Sequence, residues 1–301
     1  LLLDPLTPCL GVLGAYGMLS LLRHLASEQR RRWVARAFSR YVSPNLVSHI
    51  VENPDELELG GRRQECSFVF TDLAGFTSLM ENIDPAAAVS LLNAYFEEMV
   101  SIAFRHQGTL DRFMGDALAI MFSAPVVQPD HAQRALDCAM EMHAFAMGYA
   151  RDLQSKGIAF GYTRFGVHSG EVIVGNFGGS ALFDYRALGD PVNTAARLEG
   201  VNKHLGTLIC VSEATLSACV HVSARPVGHL VLKGKKNALQ VFEPLPTPPP
   251  PGYAPIAMYR SAYQAMRDGD PGASERFARL QEDFPRDPLV AFHCARLADK
   301  E

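Results

Sequence analysis

Two aspartates follow apolar strands, and each stands at a turn. The stretch Ser67–Leu79 reads SFVFTDLAGFTSL, so a predicted strand ends at Asp72 and a glycine-containing turn follows. The stretch Thr109–Phe122 reads TLDRFMGDALAIMF, a predicted hairpin with Asp116 at its turn. Taken singly, such an aspartate is more commonly a turn cap. Taken together, two carboxylates at strand ends of one sheet can converge on two divalent cations about 4 Å apart, which supports phosphoryl transfer.

Oxygen ligands of this kind favour Mg²⁺ or Mn²⁺ over zinc. A third stretch, DYRALGDPVNTAARLEG, predicts a helix on which Asn193 and Arg197 lie four residues apart on one face. An amide and a guanidinium so aligned can hold a sugar and a phosphoryl oxygen, although the same pair on an exposed face commonly has no function. Lys233, after an apolar strand, can reach an anionic group or be a solvated surface lysine.

These stretches, in this order and spacing, resemble the class III nucleotidyl cyclases. The family signature combines an FTDxxGFT strand and turn, a GDA hairpin, a GDxVNxAAR helix and a late KG lysine, and the match covers residues 60–242. The segment AFSRYVSP before this region and the DPL in the tail resemble bacterial membrane cyclases that carry a sensor upstream. The resemblance implies an α+β fold, the ferredoxin-like cyclase catalytic domain.

The resemblance also implies a role for each matching position. Two Mg²⁺ or Mn²⁺ ions per active site would be bound by Asp72 and Asp116, with the Leu73 carbonyl assisting. Phe76 and Thr77 would lie beside the triphosphate. Asn193 would orient the ribose, and Arg197 would stabilise the pentavalent phosphorus. Lys233 would hold the terminal phosphates. The family forms its site between two catalytic domains, so a head-to-tail homodimer is expected.

Two positions depart from the adenylate-specific pattern of the family. Adenylate-specific members typically have a lysine where this chain has Arg112. They typically have Thr, Ser or Asp where this chain has Arg186. Arg112 keeps a hydrogen-bond donor for the base, whereas Arg186 cannot accept a bond from the adenine amino group. Three outcomes stay open: ATP is recognised by other contacts, base specificity is relaxed, or Arg186 points away into an ion pair with an acid such as Asp184.

Composition bounds the class of protein. The 301 residues are 48% hydrophobic and 20% charged, which excludes a disordered or collagen-like chain. A net charge of -4 argues against non-specific nucleic-acid binding. Alternating patterns predict a strand at Cys66–Thr71, helices at Pro85–His106 and Asp130–Leu153, and a strand pair with a turn at His168–Glu171 within Ala159–Phe177. We interpret that His-Ser-Gly-Glu turn as structural.

The N-terminal region predicts a membrane anchor. Leu6–Leu22 is an uncharged run at the short end of what spans a bilayer. Six arginines and one acid between Arg23 and Arg40 favour the cytoplasmic side, although a solvated basic helix has the same composition. We therefore predict the end of a transmembrane helix over residues 1–22 and a helical transducer over residues 23–59, with an inner-membrane location and a cytoplasmic catalytic domain.

We predict the catalytic domain at residues 60–244, a Pro-rich linker at 245–252 and a small helical, tetratricopeptide-like tail at 253–301 that packs on the main domain. The sequence predicts a membrane-tethered adenylate cyclase that makes cyclic AMP from ATP. The alternatives are a weak or silent nucleotide-binding signalling module and a cyclase with relaxed or non-adenine specificity. A diguanylate cyclase is disfavoured because its GGDEF hairpin is missing.

Overall fold

The computed structural model describes residues 13–24, 43–53, 59–179, 183–235 and 237–298. The chain divides into two compact units, Leu1–Glu56 and Leu57–Glu301. In the first unit, residues 13–24 are helical (α1) and Pro44–Glu52 form α2. Helix α2 begins after Ser43 with proline in its first turn, where the missing N–H of proline costs no helical hydrogen bond.

Within the described residues, the second unit forms one sheet of eight strands with helices on it. Its strands are β1 (Gly60–Leu73), β2 (Thr109–Met114), β3 (Ala117–Phe122), β4 (Thr163–Gly178), β5 (Phe183–Leu188), β6 (Ile209–Ser212), β7 (Ala224–Leu230) and β8 (Leu239–Pro244). Its helices are α3 (Phe76–Asn82), α4 (Pro85–Arg105), α5 (His131–Ser155), α6 (Asp190–Leu205), α7 (Glu213–Leu216), α8 (Ile256–Arg267), α9 (Ala273–Asp283) and α10 (Pro288–Ala298).

The sheet order is β2-β3-β1-β4-β6-β8-β7, and β5 pairs with the outer part of β4. Strand β1 is central and antiparallel to both β3 and β4, whereas β4 and β6 are parallel. Successive residues of β1 enter different cores: Val69 packs with α4 and α5, while Phe68 and Phe70 pack with Val172 and Ala195. Both faces of the sheet are therefore covered, and the predicted α+β fold is confirmed.

One predicted element is wrong. Ala159–Phe177 was expected to contain two strands joined by a turn at His168–Glu171, but β4 runs through that stretch as one strand. The reason is pairing: β1 lies opposite β4 along its length, with Ser67 facing Ser169. The polar side chains stay inside because His168 Nδ1 lies 2.7 Å from Ser212 Oγ and the Ser169 hydroxyl lies 2.9 Å from that of Thr215.

The predicted membrane span lies only partly in the described residues. Its helical part in α1 exposes apolar side chains, including Leu13 at 66% and Tyr16 at 73% of full exposure. Most of the basic block up to Arg40 falls outside the described residues. In the part of the chain that the structure describes, α4 is long and apolar enough to cross a membrane. Helix α4, however, buries Tyr95 and Met99 in the core beside the sheet, as a core helix does.

The tail packs on the sheet through a buried ion network. Arg225 on β7 is fully buried and donates to Glu243 on β8 (Nε to Oε2, 2.6 Å) and with both terminal nitrogens to Asp287 (2.5 and 2.9 Å). Asp287, before α10, also accepts hydrogen bonds from the backbone N–H groups of Ala254, Leu289 and Val290. Since charges buried this deeply are stable only when paired, the network fixes the tail onto β7 and β8.

Because of this network, removing the buried Asp287 carboxylate should destabilise the protein much more than removing the exposed Glu275 carboxylate. Asp287→Ala leaves the Arg225 guanidinium partly unpaired in the core, and we expect it to lower the free energy of unfolding by about 3 to 5 kcal/mol. Glu275→Ala removes an exposed pair with Arg279 on α9 and should change it little. Urea unfolding of both variants measures this, and equal losses would contradict it.

Candidate active site

The two predicted metal aspartates stand at adjoining turns. β1 and β3 pair with Phe70 opposite Ala119, so the end of β1 lies beside the start of β3. Beyond these ends, Gly75 has φ of 75° before α3, and Gly115 has φ of 66° in the hairpin turn. Both are left-handed conformations that glycine adopts without strain. The sequence therefore brings Asp72 and Asp116 to one edge of the sheet.

The two carboxylates affect each other electrostatically. Partial burial raises the pKa of Asp116, and the like charge of Asp72 raises it further. Hydrogen bonding from the backbone N–H groups of Asp116 and Leu73 acts in the opposite direction. Asp72 keeps a third of its side chain exposed. The site thus concentrates negative charge that an added cation would relieve.

A largely buried arginine, Arg164, was not predicted from the sequence and lies in this site. Arg164 faces Asp72 across the β1–β4 pair and donates from Nη2 to Asp72 Oδ2 at 2.5 Å. Its Nε lies 3.3 Å from Glu199 Oε1 on α6. Burial, followed by the like charge of Asp72, raises the pKa of Glu199 to about 7. The available signal was an arginine beside the apolar start of a strand, but its partners depend on the strand register.

The donor set fits a hard divalent cation. Two carboxylates and a neighbouring backbone carbonyl are oxygen ligands of the kind that Mg²⁺ and Mn²⁺ prefer. Among the described residues, no three His, Cys, Asp or Glu side chains are grouped closely enough to hold a metal alone. Water and substrate oxygens commonly complete such sites, since Mg²⁺ binds through one or two carboxylates plus phosphates.

The other residues predicted near the metals lie on either side of the turn between β1 and α3. Leu73 is the last residue of β1 and is buried opposite Thr163. Phe76 and Thr77 form the first turn of α3, with Phe76 packed against the core and Thr77 exposed. Thr77 is therefore accessible to a ligand beside Asp72, whereas Phe76 contributes mainly to packing.

The phosphate-binding candidates lie together in another part of the chain. Arg197 on α6 and Lys233 after β7 line one pocket of about 630 Å³. An ion pair between Lys235 and Asp190, at the start of α6, ties the lysine loop to that helix. Asn193 is exposed one turn before Arg197. Neither predicted metal aspartate is among the residues that line this pocket.

Both base-reading candidates are held by neighbouring acids. Arg186 Nε donates to Asp184 Oδ2 at 2.5 Å, the ion pair that was one of the three open outcomes. Arg112 Nε donates to Asp111 Oδ2 at 2.7 Å, next to a bulge in β2. About 35 to 40% of each arginine side chain is exposed, so both remain accessible from solvent.

Comparison with known proteins identifies a family and similar relatives. A model of the adenylate and guanylate cyclase catalytic domain matches residues 60–242. Adenylate cyclase 1 of Rhizobium meliloti is 35% identical over 218 residues, which are 71% of this chain and 32% of that protein. This chain therefore spans about a third of that relative's length.

The chain is similar to solved structures of an adenylyl cyclase and of a guanylyl cyclase. The adenylyl cyclase CyaB from P. aeruginosa aligns with a TM-score of 0.58 at 30% identity, covering 62% of this chain and 97% of the solved one. The guanylyl cyclase Cya2 aligns with a TM-score of 0.55 at 33% identity, covering 62% and 94%. The region matched by the family model contains both aspartate turns, helix α6 and Lys233, and it spans more than half of the chain. The chain therefore belongs to the class III nucleotidyl cyclase family and contains its catalytic domain.

Proposed function

We propose that this cyclase domain converts ATP to 3',5'-cyclic AMP and pyrophosphate in an active site shared by two copies of the chain. The main support is that the matched catalytic domain contains two residue sets, only one of which lines the 630 Å³ pocket. Asp72 and Asp116 lie at the β1 and β3 edge, while Arg197 and Lys233 line a pocket that contains neither aspartate. A second copy can bring one set against the other.

Exposed apolar residues support a subunit interface near the metal site. Phe113 and Met114, directly before the Asp116 turn, are 51% and 40% exposed. Ile173 and Leu188 add exposed apolar surface on β4 and β5. Large apolar side chains beside charged groups are typical of surfaces that pair with another protein.

The aspartates and the turn after β1 hold the reacting end of the substrate. Asp72 and Asp116, with the Leu73 carbonyl, would bind two Mg²⁺ or Mn²⁺ ions. When bound, these ions supply activation of the attacking 3'-oxygen and neutralisation of the leaving pyrophosphate. Thr77 lies beside the triphosphate near Asp72, and Phe76 holds the start of α3 against the core.

Helix α6 and the lysine loop act on the substrate from the other copy. Asn193 orients the ribose so that its 3'-hydroxyl faces the α-phosphate in line with the leaving group. Arg197 stabilises the negative charge that develops on the α-phosphate oxygens, and Lys233 holds the terminal phosphates. Fixed cations at a transferring phosphate are effective because they need no reorganisation during the reaction.

For the base, we propose that ATP is selected by contacts other than the Arg186 side chain. Arg186 is engaged with Asp184 and has no acceptor for the adenine amino group. Arg112 retains donors that can reach a purine nitrogen. The 35% identity to adenylate cyclase 1 supports ATP, whereas the similar solved structures include both an adenylyl and a guanylyl cyclase.

We also propose that the N-terminal segment anchors the enzyme in the inner membrane with the catalytic domain in the cytoplasm. The uncharged run Leu6–Leu22 and the arginine-rich stretch Arg23–Arg40 support this orientation. The exposed apolar side chains of α1 are those that lipid would cover.

The metal assignment predicts a charge-specific loss of activity. Asp72→Asn and Asp116→Asn keep side-chain size but remove the negative charge, and each should reduce Mn²⁺-dependent cyclic AMP formation by about 10²-fold or more. Asp137→Asn, on the exposed face of α5, is the matched control and should keep full activity. Chromatographic detection of the product measures the rates, and an Asp72→Asn variant with full turnover would overturn the assignment.

The proposal for the base predicts that Arg186 does not set nucleotide preference. The wild-type chain should turn over ATP faster than GTP, CTP or UTP with either metal ion. Arg186→Thr should change the ratio of kcat/KM for ATP over GTP by less than about tenfold, because its partner is Asp184 and not the base. A variant that loses discrimination between ATP and GTP would show that Arg186 reads the base.

A further inference from the structure

Arg164 lies between two carboxylates that belong to different elements. It joins Asp72 on β1 and Glu199 on α6, and it is 84% buried. Helix α6 reaches this position because β4 has a glycine there: a Cβ on Gly166 would lie 2.2 Å from the backbone nitrogen of Glu199. Arg164 is therefore enclosed by packed backbone on one side and by the metal site on the other.

The pairing of Arg164 with Glu199 is incomplete. Arg164 Nε and Glu199 Oε1 are both buried from solvent, and neither makes a hydrogen bond, although they lie 3.3 Å apart. The same guanidinium donates from Nη2 to Asp72. Because buried polar atoms are rarely left unsatisfied, a shift of Arg164 toward Glu199 would improve the pairing of both groups.

A divalent ion would favour that second position. The guanidinium occupies Oδ2 of Asp72, one of the oxygens that a metal bound there would use. Two cations cannot share this oxygen without repulsion in a partly buried site. Glu199 provides the only other acceptor within reach of Arg164 among its described ion-pair partners.

We propose that Arg164 is a positioning residue of the metal site, which holds the Asp72 carboxylate while the site is metal-free and moves onto Glu199 when a divalent ion binds Asp72. This inference rests on the proposed metal role of Asp72. Glu199 lies two residues after Arg197 on α6, so the same movement links metal binding to the helix that carries the phosphate-binding arginine.

The experiment is a double-mutant cycle on Mn²⁺ binding, measured by electron paramagnetic resonance of free Mn²⁺ with the full chain and no nucleotide. Arg164→Gln should bind Mn²⁺ about tenfold more tightly, since the competing cation is gone. Glu199→Gln should weaken binding about tenfold in the wild type but have no effect in the Arg164→Gln background. An equal effect of Glu199→Gln in both backgrounds, or no gain from Arg164→Gln, would overturn the proposal.

Controls separate this inference from folding and from the proposed function. Arg63→Gln and Glu171→Gln disrupt an exposed pair between β1 and β4 and should leave Mn²⁺ affinity unchanged. Should Arg164→Gln not fold, Arg164→Met replaces it in the cycle, because methionine fills a similar apolar volume without a positive charge, and the same loss of coupling is expected. Loss of Mn²⁺ binding in Asp72→Asn together with cyclic AMP formation by the wild type would support the proposed function. If the cycle then shows no coupling between Arg164 and Glu199, only the inference about Arg164 fails.

Discussion

The site of this cyclase depends on a concentration of negative charge where the end of β1 meets the start of β3. The charge of Asp72 disfavours ionisation of Asp116, and Glu199 adds a third carboxyl group nearby. Such an arrangement persists only if a cation compensates it. In this chain Arg164 does so, at a cost in its hydrogen bonding to Glu199. A divalent ion bound at Asp72 and Asp116, as we propose, would compensate the same charge.

The remainder of the fold keeps those groups in place. Strand β1 is paired on both sides and covered on both faces, so the position of Asp72 is set by hydrogen bonds and packing along fourteen residues. The turns at Gly75 and Gly115 then direct the chain away from the carboxylates. The tail adds to this rigidity, since the buried Arg225–Asp287 pair anchors it to the strands that lead to Lys233.

Much of this site could be predicted from the sequence because its signals are local. The strand before Asp72, the Gly-Asp hairpin and the helix with Asn193 and Arg197 are each read within about fifteen residues. Arg164 and Glu199 were missed because their roles depend on strand register and on how close α6 comes to β4. The expected turn at His168–Glu171 was wrong for a related reason: Ser and Gly favour turns locally, but fourteen paired residues of β1 hold this stretch extended.

Anomalous X-ray scattering from crystals of the full chain grown with Mn²⁺ and a non-hydrolysable ATP analogue tests the central claim most directly. The account predicts two peaks about 4 Å apart, both ligated by Asp72 and Asp116, with residues of a second copy on the triphosphate. Density for the nucleotide without manganese at these carboxylates, or a single copy that surrounds the substrate by itself, would contradict it.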